Sequence, residues 1–267
     1  MKQIIAFLFV IASTAQNKPV VFESKILSES KLSCRAIFVD SDKIWMGMDK
    51  GRYGFYDKKK DSLHIHTIQS VNSATEFRSI ATTKEAIFIL SVGNPAKLIK
   101  IDKKSLLETI VYTEENEKVF YDSMHFVDDL NGFAMGDPTE NCLSFIKTTD
   151  GGTTWKKISC DNLPKVYEGE AAFATSNTNL IVNGKSIFMV SGGKKSRVFV
   201  SHDFGKSWQV YDTPIVQGEE MTGIFTADFY NDKIGIIAGG NYLKQLQNWS
   251  NKSITLDGGK TWKLIAD

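Results

Sequence analysis

Thr148-Thr149-Asp150-Gly151-Gly152-Thr153-Thr154-Trp155 is the stretch on which the reading of this chain turns. It returns as Ser201-His202-Asp203-Phe204-Gly205-Lys206-Ser207-Trp208 and again as Thr255-Leu256-Asp257-Gly258-Gly259-Lys260-Thr261-Trp262. All three copies read S/T-x-D-x-G-x-S/T-W, and their aspartates stand 53 and 54 residues apart. A fixed period of that length marks stacked supersecondary units. Inside the stretch every role is structural. The aspartate accepts backbone N–H groups of the turn, as an Asx turn does. Gly152, Gly205 and Gly259 supply a positive φ, and Trp155, Trp208 and Trp262 pack into the unit.

Working outward, the period reaches back to Asp57 and Asp102, so that five aspartates are separated by 45, 48, 53 and 54 residues. The two early turns keep the Asp but lack the Gly and Trp. Each unit opens with a polar residue, a small one and an apolar run: Arg35-Ala36-Ile37, Arg78-Ser79-Ile80, Asp122-Ser123-Met124, Glu170-Ala171-Ala172 and Thr222-Gly223-Ile224. A second apolar run ends at or near a glycine, a third strand enters the aspartate turn, and a fourth leaves it. Four short strands per unit of this length is the arithmetic of a β-propeller blade. The expected fold is therefore all-β, with five four-stranded antiparallel blades over residues 30–70, 71–115, 116–162, 163–213 and 214–267. Residues 19–27 read as a further extended strand, and residues 241–248 as a helical or irregular insert.

On the three boxes, the chain resembles the Asp-box (BNR repeat) propellers, the superfamily that includes sialidases and photosystem II assembly-factor-like proteins. The resemblance covers the mature chain, most clearly from Asp122 onward. It implies six or seven blades, whereas the chain stops just after Trp262-Lys263-Leu264-Ile265, the outer strand of the fifth. The expectation is that one or two C-terminal blades are missing from the sequence; the alternative is an unusual five-bladed ring. Similar assembly-factor-like propellers hold partner proteins and need no catalytic residue. The sialidase-like members need three clustered arginines, a tyrosine nucleophile paired with a glutamate, and an acid/base aspartate.

Binding sites in propellers gather where inner strands begin. That position falls to Arg35, Arg78, Asp122, Glu170 and Thr222, and Arg35, Arg78, Asp122 and Glu170 are the candidate ligand-binding residues. Arginines there could fork a ligand carboxylate; equally, these charges could close on one another as a salt-bridge ring. For the hydrolase alternative the candidates are Arg35, Arg78, Tyr121, Asp122 and Glu170. Phe77-Arg78-Ser79 only faintly matches the sialidase F/Y-R-I-P motif, lacking its Ile and Pro.

The leading expectation is an exported binding or assembly scaffold for a protein or carbohydrate ligand, and a monomer. A basic start at Lys2, an apolar run and Ser13-Thr14-Ala15 form a signal peptide over residues 1–15, with cleavage near Ala15. Export places the chain in a periplasm, at the cell surface or outside the cell. No later run is long and apolar enough to span a membrane. The net charge of +1 gives no reason to expect nucleic acid. Only four arginines accompany many lysines, which makes each arginine conspicuous. Of the three cysteines, Cys142 and Cys160 flank the first box; they either form a disulfide or are two buried small hydrophobes. His64 and His66 alternate on one strand with no third ligand in sight, so no metal is expected. No dinucleotide, P-loop or flavin signature is present, and no cofactor is expected.

Overall fold

The structure is a computed structural model and describes residues 23–28, 31–173 and 177–265. The expected signal peptide, residues 1–15, lies outside the described residues. The chain divides into a first unit, Met1–Ser30, and a second, Lys31–Asp267. In the first, residues 23–28 belong to no strand, so the part of the expected strand at 19–27 that is described does not form one.

The second unit is a β-propeller of five antiparallel blades. The first holds β1 (Cys34–Val39), β2 (Lys43–Met48), β3 (Arg52–Asp57) and β4 (Ser62–Thr67), and the second β5 (Phe77–Thr82), β6 (Ala86–Ser91), β7 (Ala96–Asp102) and β8 (Glu108–Glu114). The third holds β9 (Tyr121–Phe126), β10 (Gly132–Gly136), β11 (Ser144–Thr148) and β12 (Lys156–Lys157). In the fourth, a short β13 (Glu170–Ala171) precedes β14 (Leu180–Asn183), β15 (Ser186–Val190), β16 (Gly192–Gly193), β17 (Arg197–Ser201) and β18 (Gln209–Asp212). The fifth holds β19 (Thr222–Phe229), β20 (Gly235–Asn241), β21 (Lys252–Thr255) and β22 (Lys263–Leu264). Because β16 also pairs with β19 through Gly192 and Gly223, β13 and β16 join the fifth blade in a six-stranded sheet. Gly223 makes this junction feasible: at φ +136 its missing Cβ would lie 2.2 Å from the Gly192 Cα.

The blades stack face to face, which explains why their strands read as continuous apolar runs. Every residue of β6 is buried, because both of its faces are covered. Four apolar clusters fill the four successive seams. Trp45, Phe55, Ile80 and Ile99 lie between blades one and two, and Phe88, Leu98, Met124 and Ile146 between two and three. Phe145, Leu180, Met189 and Phe199 fill the third seam, and Phe188, Val198, Ile224 and Phe229 the fourth. His64 and His66 stack on Phe55 and Tyr53, so their alternation serves packing.

The boxes anchor these seams. Asp150 Oδ1 accepts from the backbone N–H groups of Thr153 and Thr154 at 3.0 Å each, and its Oδ2 accepts from Thr154 Oγ1 at 2.7 Å. Asp203 and Asp257 repeat the pattern with Ser207 and Thr261. These donors hold the Asp150 and Asp257 carboxyls down at about 2. The decayed copies keep only the core of this: Asp57 and Asp102 still cap two turn N–H groups each. Each tryptophan enters the seam beneath its turn, Trp155 edge-on to Phe88 and Phe126, Trp208 to Phe145, and Trp262 to Phe229. Cys142 and Cys160 form a disulfide with Cα atoms 5.5 Å apart, which decides between the two readings the sequence left open.

The convergence of the inner strands holds a feature no repeat arithmetic announced. Ahead of β14, residues 177–179 bond to three inner strands, β5, β9 and β19, and to β15. The Asn177 side chain donates to Ile80 O at 2.7 Å and accepts from Met124 N at 3.0 Å. Its carbonyl accepts from Ser123 Oγ at 2.8 Å. Ala227 N donates to Thr178 O, and Val190 N to Asn179 O, both at 3.0 Å. Asn177→Ala is expected to leave buried backbone groups of blades two and three unpaired, a loss of about 2–4 kcal/mol. Thermal unfolding checks this: the midpoint should fall by several degrees with the far-ultraviolet spectrum of the folded state unchanged.

Candidate functional site

In an antiparallel blade the start of the inner strand lies at the same end as the connection between the second and third strands. The aspartate turns, between the third and fourth strands, lie at the other end. The boxes and the inner-strand candidates therefore belong to opposite rims.

At the first of these rims the register shows why Arg35, Arg78 and Asp122 stand out. Cys34 pairs with Met48 and Ala36 with Gly47, so Arg35 has no opposite residue. Phe77 pairs with Ser91 and Ser79 with Leu90, which leaves Arg78 unpaired in the same way. Tyr121 pairs with Gly136 and Ser123 with Met135, which leaves Asp122. All three are bulge residues, and a bulge re-aims its side chain away from the regular pleat. In the fifth blade the corresponding bulge is Phe225, not Thr222. In the fourth no bulge stands at that place among the described residues: β13 sets Ala171 opposite Gly192, and β14 sets Leu180 opposite Met189. Glu170 and Thr222 therefore share the polar-small sequence signature but not the register. Thr222 Oγ1 instead lies 2.7 Å from Glu219 O.

Arg35 and Arg78 meet across one carboxylate. Glu76 Oε1 lies 3.3 Å from Arg35 Nε, and Glu76 Oε2 accepts from Arg78 Nη2 at 3.0 Å. The Arg35 side chain is half exposed, and the Arg78 guanidinium sits 5.6 Å from the centre of the Phe120 ring. Glu76 thus holds two guanidinium groups side by side, Arg35 half exposed and Arg78 more deeply set with its Nε buried and unpartnered. Sequence reading missed Glu76, although it stands two residues before Arg78 at the end of a polar linker.

Asp122 is fully buried, and neither of its carboxylate oxygens has a hydrogen-bond partner. Burial and then the neighbouring Asp137 push its carboxyl well above the usual range, against the pull of Arg78. Asp137, whose Oδ1 accepts from Ala172 N at 2.9 Å, is itself pushed up to about 6 by burial. Glu170 belongs to a different network. Arg197 donates to both its oxygens, at 2.8 and 2.6 Å, and Ser191 Oγ adds a third bond at 2.6 Å. With its charge and lone pairs so satisfied, Glu170 is a buried tie between β13 and β17.

Tyr121 forms a tyrosine–glutamate pair, but away from the arginines. Its hydroxyl and that of Tyr112 both donate to Glu114 Oε2 at 2.7 Å, and Lys157 bonds the other oxygen. The ring is fully buried, and burial pushes the phenol far above its ordinary value. A nucleophile needs access and a lowered pKa; Tyr121 has neither. The four arginines are each paired with an acid, Arg52 with Asp49 and Arg197 with Glu170 besides the two on Glu76, so no three of them gather. Among the described residues no group of three metal-ligating side chains is assembled, and no helix is long and apolar enough to cross a membrane.

A family profile described as BNR/Asp-box repeat matches residues 199–210, the second box and its flanking strands. No curated protein matches the chain. Solved structures share the fold at low identity. A chain of the mitotic checkpoint complex is 10% identical with a TM-score of 0.60, over 89% of this chain and 65% of that one. U3-55K is 11% identical with a TM-score of 0.57, over 82% of this chain and 64% of that one. YCF48 from Cyanidioschyzon merolae is 9% identical with a TM-score of 0.51, over 88% and 85% of the two chains. The chain thus spans less than two thirds of the length of the first two. With the boxes and the blade topology, these findings show a β-propeller fold that carries a BNR/Asp-box repeat and is similar in fold to YCF48.

The acidic pair has a pH signature. A carboxyl whose folded pKa lies above its unfolded value of about 3.9 favours folding while protonated, and that contribution is lost as pH rises through the folded value. For Asp137 the window is about pH 4 to about 6. Asp137→Asn should flatten the stability profile across that window, and Asp122→Asn should raise the unfolding midpoint at pH 8. Thermal unfolding of the three proteins from pH 4 to 8 checks both; a lower midpoint for Asp122→Asn at pH 8 would contradict the assignment.

Proposed function

We propose that this propeller is an exported, non-catalytic binding scaffold that grips an acidic group of a partner protein with Arg35 and Arg78. The observation that carries the reading is Glu76 between the two guanidinium groups. It orients both, and the half-exposed Arg35 guanidinium beside Arg78 supplies the donors with which a ligand carboxylate is gripped. A partially exposed arginine pair held by protein carboxylate is pre-organised, which lowers the entropic cost of binding. Two further observations support the reading. The leader expected at residues 1–15 and the Cys142–Cys160 disulfide both suit an oxidising compartment outside the cytoplasm. The fold, shared with YCF48, sets its loops at the rims of rigid blades, where binding residues concentrate, and the resemblance of the boxes to assembly-factor-like propellers points the same way.

Hydrolysis of a glycoside draws no support from the buried Tyr121. The test is an array of synthetic peptides differing only in a free or amidated C-terminal carboxylate, with purified protein and its Arg35→Ala/Arg78→Ala variant. Binding to the free acids should weaken tenfold or more in the variant and fall steeply with salt. Turnover of a fluorogenic sialoside that vanishes in Arg78→Ala would replace the scaffold by an enzyme.

A further inference from the structure

The connection between the second and third strands is shorter in the other blades: residues 49–51, 92–95, 137–143 and 191–196. In the fifth it is residues 242–251, the insert the sequence set apart. It is neither helical nor loose. Asn241 Oδ1 accepts from Leu243 N at 2.9 Å, Asn241 Nδ2 donates to Glu219 Oε2 at 3.0 Å, and Lys244 Nζ donates to Glu219 Oε1 at 3.0 Å. Tyr242 N donates to Met221 O at 2.8 Å, and Gly239 N to Asn251 O at 2.9 Å.

This well-tied loop holds its large apolar side chains in water. Leu246 is 98% exposed, Leu243 74%, Tyr242 56% and Trp249 55%. So dense an apolar cluster on one short segment is the mark of an interaction surface. Behind it lies a recess of about 390 Å³, walled by Phe225, Gly239, Gly240, Tyr242, Gln247 and Asn251 among others. Two of these walls carry an unmet polar group: Gln247 Nε2, a donor, and Asn251 Oδ1, an acceptor, are buried without a hydrogen-bond partner. Buried groups of this kind are rare and call for a partner.

A donor and an acceptor together are answered by one amide, which offers C=O to the first and N–H to the second. The geometry points to the blade-five insert as a recognition site for an extended peptide segment of a partner protein. One main-chain amide of that segment meets Gln247 and Asn251, while a neighbouring apolar side chain enters the recess or packs on Leu243 and Leu246. The apolar rim argues for a peptide over a sugar, whose N-acetyl group presents the same amide amid hydroxyls. At the foot of the loop Glu219 pairs with Lys244, with Lys194 also near it. The inference rests on the scaffold reading but uses a site separate from Arg35 and Arg78, so the two can fail independently.

The test is an amide NMR titration of the isotope-labelled protein with N-acetyl-leucinamide, and in parallel with N-acetylglucosamine. Shifts should be confined to residues 239–251 and Phe225. Gln247→Ala and Leu246→Ser should each weaken the fitted Kd about fivefold, the scale of one lost hydrogen bond or apolar contact. Leu246 is exposed, so its variant keeps the fold, and the spectra themselves report this. Arg78→Ala should leave the titration unchanged. Absence of shifts, shifts spread over the molecule, sugar binding as tight as the leucinamide, or loss of binding in Arg78→Ala would each overturn the proposal.

Discussion

The constraint under which this structure is built is that every blade presents the edge of its inner strand toward its neighbours. An edge strand carries N–H and C=O groups with no ladder partner, and such groups are costly when buried. Here the problem is met by Asn177 and Thr178. A carboxamide has both a donor and an acceptor, and Asn177 uses them on Ile80 O and Met124 N, while Thr178 O takes Ala227 N. One short segment ahead of β14 therefore ties together the second, third and fifth blades. Polar backbone needing partners is met by residues 177–179 where the inner strands converge.

The two rims divide the labour. One carries the aspartate boxes, in which carboxylates, hydroxyls and glycines close turns over the tryptophans that fill the seams. Their low pKa values mark carboxylates saturated with donors, and saturated groups are poorly suited to chemistry. The other rim carries the bulges, whose side chains leave the pleat, and the long insert of the fifth blade. There the polar groups are less completely satisfied: Arg78 Nε, Asp122, Gln247 and Asn251 all hold unmet atoms.

Reading the candidate site from sequence succeeded only as far as the local signal carried register. A polar residue followed by a small one marked Arg35, Arg78 and Asp122, and these are bulge residues. The same signal at Glu170 and Thr222 marked positions outside that register, because Ala171 and Gly223 are small for another reason. They sit where the fourth and fifth blades share a backbone junction through Gly192. Glu76 and Glu114 were invisible, since each acts through a partner distant in the chain or placed by a turn.

What the sequence by itself determined was the architecture. A period of 53 and 54 residues, the box chemistry and two-sided apolar strands follow from bonds and packing within a single blade, so any one repeat carries the full signal. The tertiary structure alone decided which charges meet and which stay unpaired. It set Glu76 between two arginines, gave Glu170 to Arg197, buried Asp122 beside Asp137 and joined Cys142 to Cys160. The first and third of these are relations between repeats or across bulges, and the second depends on β13 joining the sheet of the next blade. A period fixes the spacing of blades but not the direction in which an unpaired residue points, and it is that direction that makes a site.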